Sequence, residues 1–223
     1  MTAATNTTSA DFLKKTNLYL IGMMGAGKTT IGRKLANRLG YRFLDTDALI
    51  EQTTGQPITE LFASEGEAVF RQLESQVLAD VSAHTRLVVA TGGGVVTQPM
   101  NWSYLRHGVV IWLDVPVPVL VSRLSGDSSR PLLANTDLSS KLESLMANRE
   151  AQYAQADLRI AYEGRSVGKT CDRILEALQH SIRLDPKLSA GQVIVSQPSI
   201  NPSAIDPSAI NPSAINLPVS EES

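Results

Sequence analysis

The chemistry with the clearest signal in this sequence is phosphate binding. Residues 22–29, Gly-Met-Met-Gly-Ala-Gly-Lys-Thr, match the pattern G-x-x-x-x-G-K-[ST] at every fixed position. Glycines let such a loop curl until its backbone N–H groups point at phosphate oxygens, and the following helix N-terminus adds a favourable dipole. The pattern indicates that Lys28 contacts the β and γ phosphates and that the Thr29 hydroxyl binds Mg²⁺. The loop therefore predicts a nucleoside triphosphate site rather than an incidental glycine turn.

A pair of carboxylates supplies the second candidate chemistry. Asp45 and Asp47 are separated by one residue, and in an extended segment they would point to the same side. One carboxylate could then hold Mg²⁺ through water while the other grips a substrate hydroxyl. The alternative interpretation is that Asp47 only caps a helix over residues 48–52. The segment by itself leaves both interpretations open.

Alternating short apolar runs and helical patterns predict a parallel α/β sheet that would position these groups. The predicted strands cover residues 18–21, 43–44, 87–90, 109–113 and, more weakly, 158–160, and the clearest helices cover 29–39, 67–81 and 138–153. The phosphate loop, the aspartate pair and the triple glycine 92–94 each follow the end of a predicted strand. Open α/β sheets bind ligands along that edge.

Composition narrows the function classes. The chain has 223 residues, a net charge of −2 and a pI of about 5.9, which gives no overall attraction to nucleic acid or to an anionic membrane. No segment approaches the ~18 apolar residues of a membrane span. Cys171 is the single cysteine, so an intrachain disulfide is excluded. We expect a cytoplasmic protein that acts as a monomer, without nucleic-acid or membrane partners.

Three stretches depart from the pattern of a folded domain. Residues 1–14 are rich in Thr, Ala and Ser, lack the features of a secretory signal and predict a disordered N-terminus. Residues 124–136 lose the hydrophobic period and predict a mobile lid. Residues 185–223 contain a repeated Pro-Ser-Ala-Ile element, in which regular prolines prevent helix and strand, and predict a disordered tail. The folded domain is therefore predicted to span residues 15–184.

A phosphate loop alone is compatible with several kinds of protein. The sequence has no Asn-Lys-x-Asp string to read guanine, which argues against a GTPase. Motor and transporter ATPases usually need a longer chain. Small size together with a candidate lid favours a kinase that acts on a small molecule.

Taken in order, the motifs resemble those of the shikimate kinases over about residues 17–178. The matching segments are 22–29, Asp45-Thr46-Asp47, Phe70-Arg71, Gly92-Gly93-Gly94, Arg130-Pro131-Leu132-Leu133 and Arg149. The resemblance implies a three-layer P-loop kinase of the nucleoside-monophosphate-kinase type, with a central five-stranded parallel sheet and a lid loop. It implies transfer of the γ-phosphate of ATP to the 3-hydroxyl of shikimate, which belongs to the chorismate pathway of aromatic amino acid biosynthesis.

The resemblance also implies a role for each matching residue. ATP would be bound by Gly25, Ala26, Gly27, Lys28, Thr29, Thr30, Arg123 and Arg130. Mg²⁺ would be bound by Thr29, with Asp45 acting through a water. Shikimate would be bound by Asp47, Arg71, Gly93, Gly94 and Arg149. Lys28, Asp47 and the lid residue Arg130 would carry the catalysis, and Arg123 would pack on the adenine.

Two other functions compete with this interpretation. A related kinase, such as a gluconate kinase, would share the phosphate site but use another acceptor. A catalytically inactive binding module derived from the kinase would lose Lys28 or Asp47, and both are present.

The interpretation of single residues also has an alternative, since Arg71 could serve only in helix ion pairs with Glu67 and Glu74. The adenine contacts within residues 162–166, where Arg165 is a candidate, stay open.

Overall fold

The computed structural model describes residues 13–125 and 137–184. Its centre is a five-stranded sheet in the order β2-β3-β1-β4-β5, with every neighbouring pair parallel. The strands are β1 Asn17–Ile21, β2 Arg42–Asp45, β3 Leu87–Ala90, β4 Gly108–Asp114 and β5 Leu158–Ala161. All five strands lie where the apolar runs predicted them, so the predicted parallel sheet is confirmed.

Eight α-helices cover the sheet within the described residues. They are α1 Lys28–Leu39, α2 Thr46–Thr54, α3 Ile58–Ser64, α4 Gly66–Ser82, α5 Asn101–Leu105, α6 Val117–Leu124, α7 Leu138–Tyr153 and α8 Val167–Leu184. Helix α1 packs against β3 and α8, whereas α4 packs against α2, α3 and α5. The helices form the two outer layers of the predicted three-layer fold, on either side of the sheet.

The central strands are largely apolar because helices cover both of their faces. Every residue of β1 and of β3 is buried. Leu18 pairs with Val88 on one side and with Val109 on the other. Edge strand β2 is only partly buried, which explains why its apolar run was shorter.

The aspartate segment differs from the prediction. Thr46 and Asp47 already belong to α2, so the pair does not project from an extended segment. The residue that caps α2 is Asp45, whose Oδ1 accepts a hydrogen bond from the Asp47 amide at 3.1 Å. The prediction of an extended pair is therefore wrong, and so is the alternative in which Asp47 is the cap. Asp45 satisfies an N–H group that the first helical turn leaves without an intrahelical acceptor.

The topology brings three loops to one edge of the sheet. Strand β1 lies in the middle, with β3 on one side and β4 on the other, so the chain reverses its winding direction there. Loops that follow β1, β2 and β3 meet outside the carboxyl ends of these strands, at the place where α/β sheets bind ligands.

Several predictions fall outside the described residues. They concern residues 1–12 of the N-terminus and residues 185–223, which were predicted to be disordered, most of the lid, and Arg130 within it, and they stay predictions. The predicted disordered N-terminus ran to residue 14, and this prediction is wrong at Leu13, which is buried in the core. Across the part of the chain that the structure describes, no helix combines the length and the apolar character of a membrane span.

Candidate active site

The phosphate loop connects β1 to α1 and owes its shape to glycines. Gly25 and Gly27 have φ angles of 76° and 93°, in the left-handed region that side chains disfavour. Gly27 is the N-cap residue of α1, and its carbonyl accepts a hydrogen bond from the Ile31 amide at 2.9 Å. The loop therefore delivers its backbone directly onto a helix N-terminus, where N–H groups and the helix dipole both favour an anion.

Lys28 lies inside this loop. Its side chain is largely buried, and the ammonium donates hydrogen bonds to the carbonyls of Gly22 at 2.8 Å and Met23 at 2.9 Å. A buried cation needs such oxygen partners because desolvation otherwise disfavours its charge. The contacts hold a positive charge at the centre of the loop.

Thr29 and Asp45 form the candidate metal centre. The Thr29 hydroxyl donates to Asp45 Oδ2 at 2.7 Å, while Asp45 Oδ1 accepts the helix-capping bond. Both side chains offer oxygen atoms, which Mg²⁺ prefers. Because both carboxylate oxygens already accept bonds from the protein, Asp45 suits the role of orienting the hydroxyl and nearby water. The residues therefore fit Mg²⁺ bound directly by Thr29.

One cavity of about 390 Å³ gathers most of the predicted site residues. The predicted residues in its wall are Gly25, Ala26, Gly27, Lys28, Thr29, Thr30, Asp45, Asp47, Gly93 and Arg123. These residues come from the phosphate loop and the start of α1, from the end of β2 and the start of α2, from the turn after β3 and from α6. The phosphate loop, which forms the phosphate end of the site, and the carboxylate of Asp47 therefore line the same cavity.

The two predicted carboxylate-binding arginines are not among the residues that line this cavity, but both contact the turn at residues 92–94. Arg71 on α4 and Arg149 on α7 are 8% and 6% exposed. Arg149 donates to the Gly93 carbonyl at 3.2 Å. A Cβ on Gly94 would overlap the guanidinium of Arg71. The turn is therefore in direct contact with both guanidinium groups, which come from distant parts of the chain.

Glu74 is a component of this region that the sequence suggested only as an ion-pair partner. Its side chain is fully buried, and its Oε2 accepts from Arg71 at 2.8 Å. Burial raises the pKa of Glu74, with Arg71 opposing that shift, and Asp47 and Arg149 are close enough to affect it as well. We call Asp47, Arg71, Glu74 and Arg149 the acceptor cluster.

The predicted ion pairs of Arg71 are also present. Glu67, which is half-exposed, accepts from Arg71 at 3.1 and 3.3 Å. Together Glu67 and Glu74 fix the direction of the guanidinium plane. Ion pairing and a binding role are therefore compatible for this arginine.

The first glycine of the turn is needed for close packing. The Gly92 amide donates to Thr46 Oγ1 at 3.0 Å. A Cβ at Gly92 would lie 2.9 Å from Asp47 Oδ1 and closer still to Glu74 Oε1. Any larger residue would push these two carboxylates out of place. The close packing of the acceptor cluster therefore requires glycine at position 92.

The remaining end of the cavity is formed by Arg123 and by the segment after β5. Arg123 donates to the Gly25 carbonyl at 2.9 Å, and its guanidinium lies 5.1 Å from the centre of the Tyr162 ring. Tyr162, Glu163 and Arg165 line the same space. Sequence reasoning left this segment open because no motif marks it, and only its position after β5 could have indicated it.

A parallel sheet of this order, with a phosphate loop after its central strand, defines a P-loop kinase. A model of the shikimate kinase family matches residues 24–179. The chain is 59% identical over 155 residues to a shikimate kinase of Microcystis aeruginosa, covering 70% of this chain and 82% of that protein. It is 52% identical over 178 residues to one from Synechococcus elongatus, covering 79% and 94%.

A solved structure agrees with these sequence matches. It is a shikimate kinase from Acinetobacter baumannii in complex with shikimate, with a TM-score of 0.75 and 39% identity over 77% of this chain and 97% of that one. This chain belongs to the shikimate kinase family. The family, the fold and the enzyme class predicted from the motifs are confirmed, and the family found is the predicted one rather than that of a gluconate kinase.

Proposed function

We propose that this protein transfers the γ-phosphate of ATP to the 3-hydroxyl of shikimate, giving shikimate 3-phosphate and ADP. The observation that carries the proposal is the position of Asp47. It lines the cavity that contains Lys28, and it is also the member of the acceptor cluster that lies near enough to Glu74 to affect its pKa. A hydroxyl held by Asp47 would thus face the phosphate loop, while an acid group on the same molecule would face arginines.

At the phosphate end, the loop amides and Lys28 bind the triphosphate and stabilise charge on the γ-phosphate. Phosphoryl transfer depends mainly on positioning and on such charge stabilisation, because its transition state is loose and strongly anionic. Arg130 would add a second cation on lid closure, and this role stays a prediction. Arg123 and Tyr162 supply flat groups beside the loop on which a nucleobase can stack.

Mg²⁺ is the proposed cofactor, and when bound it neutralises charge on the phosphate oxygens. The Thr29 hydroxyl would be its protein ligand. Asp45 would hold that hydroxyl with its proton directed at Oδ2, so that the oxygen lone pairs face the cavity.

At the acceptor end, Asp47 orients the attacking hydroxyl and accepts its proton. The new bond forms between that oxygen and the γ-phosphorus, while the bond from the γ-phosphorus to the β–γ bridging oxygen breaks and ADP leaves. Arg71 and Arg149 hold the carboxylate, since a planar guanidinium can donate two parallel hydrogen bonds to it. The amides of Gly93 and Gly94 complete the proposed pocket.

An acceptor screen tests the proposal. Purified protein with magnesium and ATP is assayed for ADP release with shikimate or with gluconate. We expect rapid ADP release with shikimate and only background release with gluconate. Equal rates with both acids, or release that is independent of an acceptor, would overturn the assignment.

We further propose that the protein acts in the cytoplasm as a monomer, with its kinase domain in residues 15–184. One cysteine, which is buried and unable to pair within the chain, suits a reducing compartment. Light scattering during size-exclusion chromatography measures the mass. A value near 24 kDa is expected for the monomer.

A further inference from the structure

Tyr153, at the end of α7, is a buried residue that the proposed chemistry does not use. It is fully buried, and its hydroxyl donates to the Gly93 carbonyl at 2.6 Å. Its ring stacks on Trp112 of β4, with ring centres 5.7 Å apart and planes 20° apart. The stacking fixes the ring, so the hydroxyl has a defined position against the turn.

The same carbonyl accepts a second hydrogen bond, from Arg149. A carbonyl oxygen has two lone pairs, so two donors use its full capacity. Tyr153 and Arg149 are four residues apart on α7, which places them on one face of the helix. Two side chains of α7, Tyr153 and Arg149, therefore hold the turn through the carbonyl oxygen of Gly93.

Fixing this oxygen also fixes an amide. The peptide between Gly93 and Gly94 is planar and trans, so the Gly94 N–H points opposite to the Gly93 carbonyl. A run of three glycines has little preference for one orientation of its peptide planes. Within the turn, the Val95 amide donates to the Gly92 carbonyl at 3.3 Å, and Thr97 donates to the Gly94 carbonyl. Neither of these bonds holds the Gly93 carbonyl, whose hydrogen bonds come from α7.

The Gly94 end of this peptide lies against the acceptor cluster. Its Cα is so close to Arg71 that a Cβ would overlap the guanidinium nitrogens. An acid held by Arg71 would therefore come close to the Gly94 amide. Direction matters for that amide, because a hydrogen bond weakens steeply as its angle departs from linear.

We propose that Tyr153 is a positioning residue for the acceptor acid, which it serves by orienting the Gly93–Gly94 peptide so that the Gly94 amide donates to the carboxylate. Burial raises the pKa of Tyr153 to about 12, so the hydroxyl keeps its proton at neutral pH. The inference rests on the proposed function, since it assumes an acid acceptor in this pocket.

The test is the substitution Tyr153→Phe, which removes one oxygen and leaves the stacking on Trp112. We expect the KM for shikimate to rise about three- to tenfold, as for the loss of one buried hydrogen bond. The KM for ATP should stay within about twofold of wild type. Calorimetric titration with shikimate should show the same loss of affinity.

The control is Tyr41→Phe, which makes the same change in a buried tyrosine just before β2, at the opposite edge of the sheet. It should leave both KM values unchanged. If Tyr153→Phe only lowers the melting temperature, or raises both KM values equally, the residue is merely structural and the inference is wrong. If wild-type protein neither binds nor phosphorylates shikimate, the proposed function is wrong, and the inference about Tyr153 is rejected together with it.

Discussion

The phosphate loop and the acceptor cluster differ in how their parts are distributed along the chain. The loop is a run of eight residues, 22–29, whose backbone amides and one lysine suffice for anion binding. The acceptor cluster takes its side chains from α2, α4 and α7, and Arg149 lies 56 residues after the glycine that it contacts. One end of the site is therefore local in sequence, and the other exists only after folding.

The two ends also differ in how their charges are stabilised. Lys28 is held by carbonyls within six residues of it. Arg71 and Glu74 form an ion pair that packing buries, and breaking such a pair leaves an uncompensated charge in the interior. The phosphate end should therefore tolerate distant changes, whereas the acceptor end should respond to any change in packing around the glycine turn.

The largest expected effect is at the phosphate end. Lys28→Ala should lower kcat by about 10³-fold, because charge on the transferring group loses its fixed cation. Shikimate affinity, measured by calorimetry, should stay close to wild type, because the acceptor cluster is intact. Lys34→Ala, which removes an exposed lysine from the same helix, is the control. A large loss of shikimate affinity in Lys28→Ala would show that the two ends are not independent.

Asp47 lies between the two ends and should give the next largest effect. Asp47→Asn should lower kcat by about 10²- to 10⁴-fold, because the amide cannot accept the hydroxyl proton. The Kd for ATP, measured by calorimetry, should be unchanged. Asp80→Asn, at an exposed position near the end of α4, controls for the loss of one negative charge. Normal turnover in Asp47→Asn would reject the assigned role.

Substitution within the acceptor cluster should affect the acceptor alone. Arg149→Lys keeps the charge but removes the planar fork, so the KM for shikimate should rise about 10- to 100-fold, or about 1.5–3 kcal/mol. Steady-state kinetics should show little change in the KM for ATP. Arg38→Lys, on the α1 surface, serves as the control. A matching rise in the KM for ATP would contradict the separation of the two ends.

Glu74 provides a test through pH. Its raised pKa means that the folded chain binds this proton more tightly than the unfolded chain, so the contribution to stability is complete below the ordinary value of 4.5 and is lost as pH rises through the folded pKa. The free energy of unfolding of wild type, relative to Glu74→Gln, should therefore fall as pH rises above 4.5. Denaturant titrations across that range measure it.

The exposed partner of the same arginine is the control for this test. Glu67→Gln removes a half-exposed carboxylate from the same arginine and leaves the buried pair of Arg71 and Glu74 in place, so it controls for the loss of one ion pair. A flat difference between wild type and Glu74→Gln would mean that Glu74 has an ordinary pKa. In that case the acceptor end would not differ from the phosphate end in having a carboxylate whose pKa is raised by burial.

The smallest expected effect is that of the C-terminal segment. Ending the chain after Leu184 should leave kcat and both KM values within about twofold of wild type, since the predicted site residues all precede that position. The ADP-release assay with shikimate measures this. A clear loss of activity would show that residues 185–223 contribute to one of the two ends.

Regular elements were predicted well where their periodicity is strong. Helix α7 was predicted over residues 138–153 and found there, and β3 agrees with residues 87–90. The short helices α3 and α5, of seven and five residues, carry too few turns to show a period and were missed. The segment around Asp47 was placed in the wrong conformation, because the cap supplied by Asp45 starts the helix earlier.

The phosphate loop, the parallel sheet that presents it and the family could be predicted without a structure, because each is encoded by neighbouring residues or by the order of motifs. The folded structure was needed to show that Glu74 is fully buried beside Arg71, that Tyr153 and Arg149 hold the same carbonyl, and that Tyr162 faces Arg123. The contacts of Tyr153, Arg149 and Tyr162 join residues far apart along the chain, and the burial of Glu74 depends on the elements that pack over it. Their energies depend on distance and burial in the folded protein, which no local pattern of residue types records.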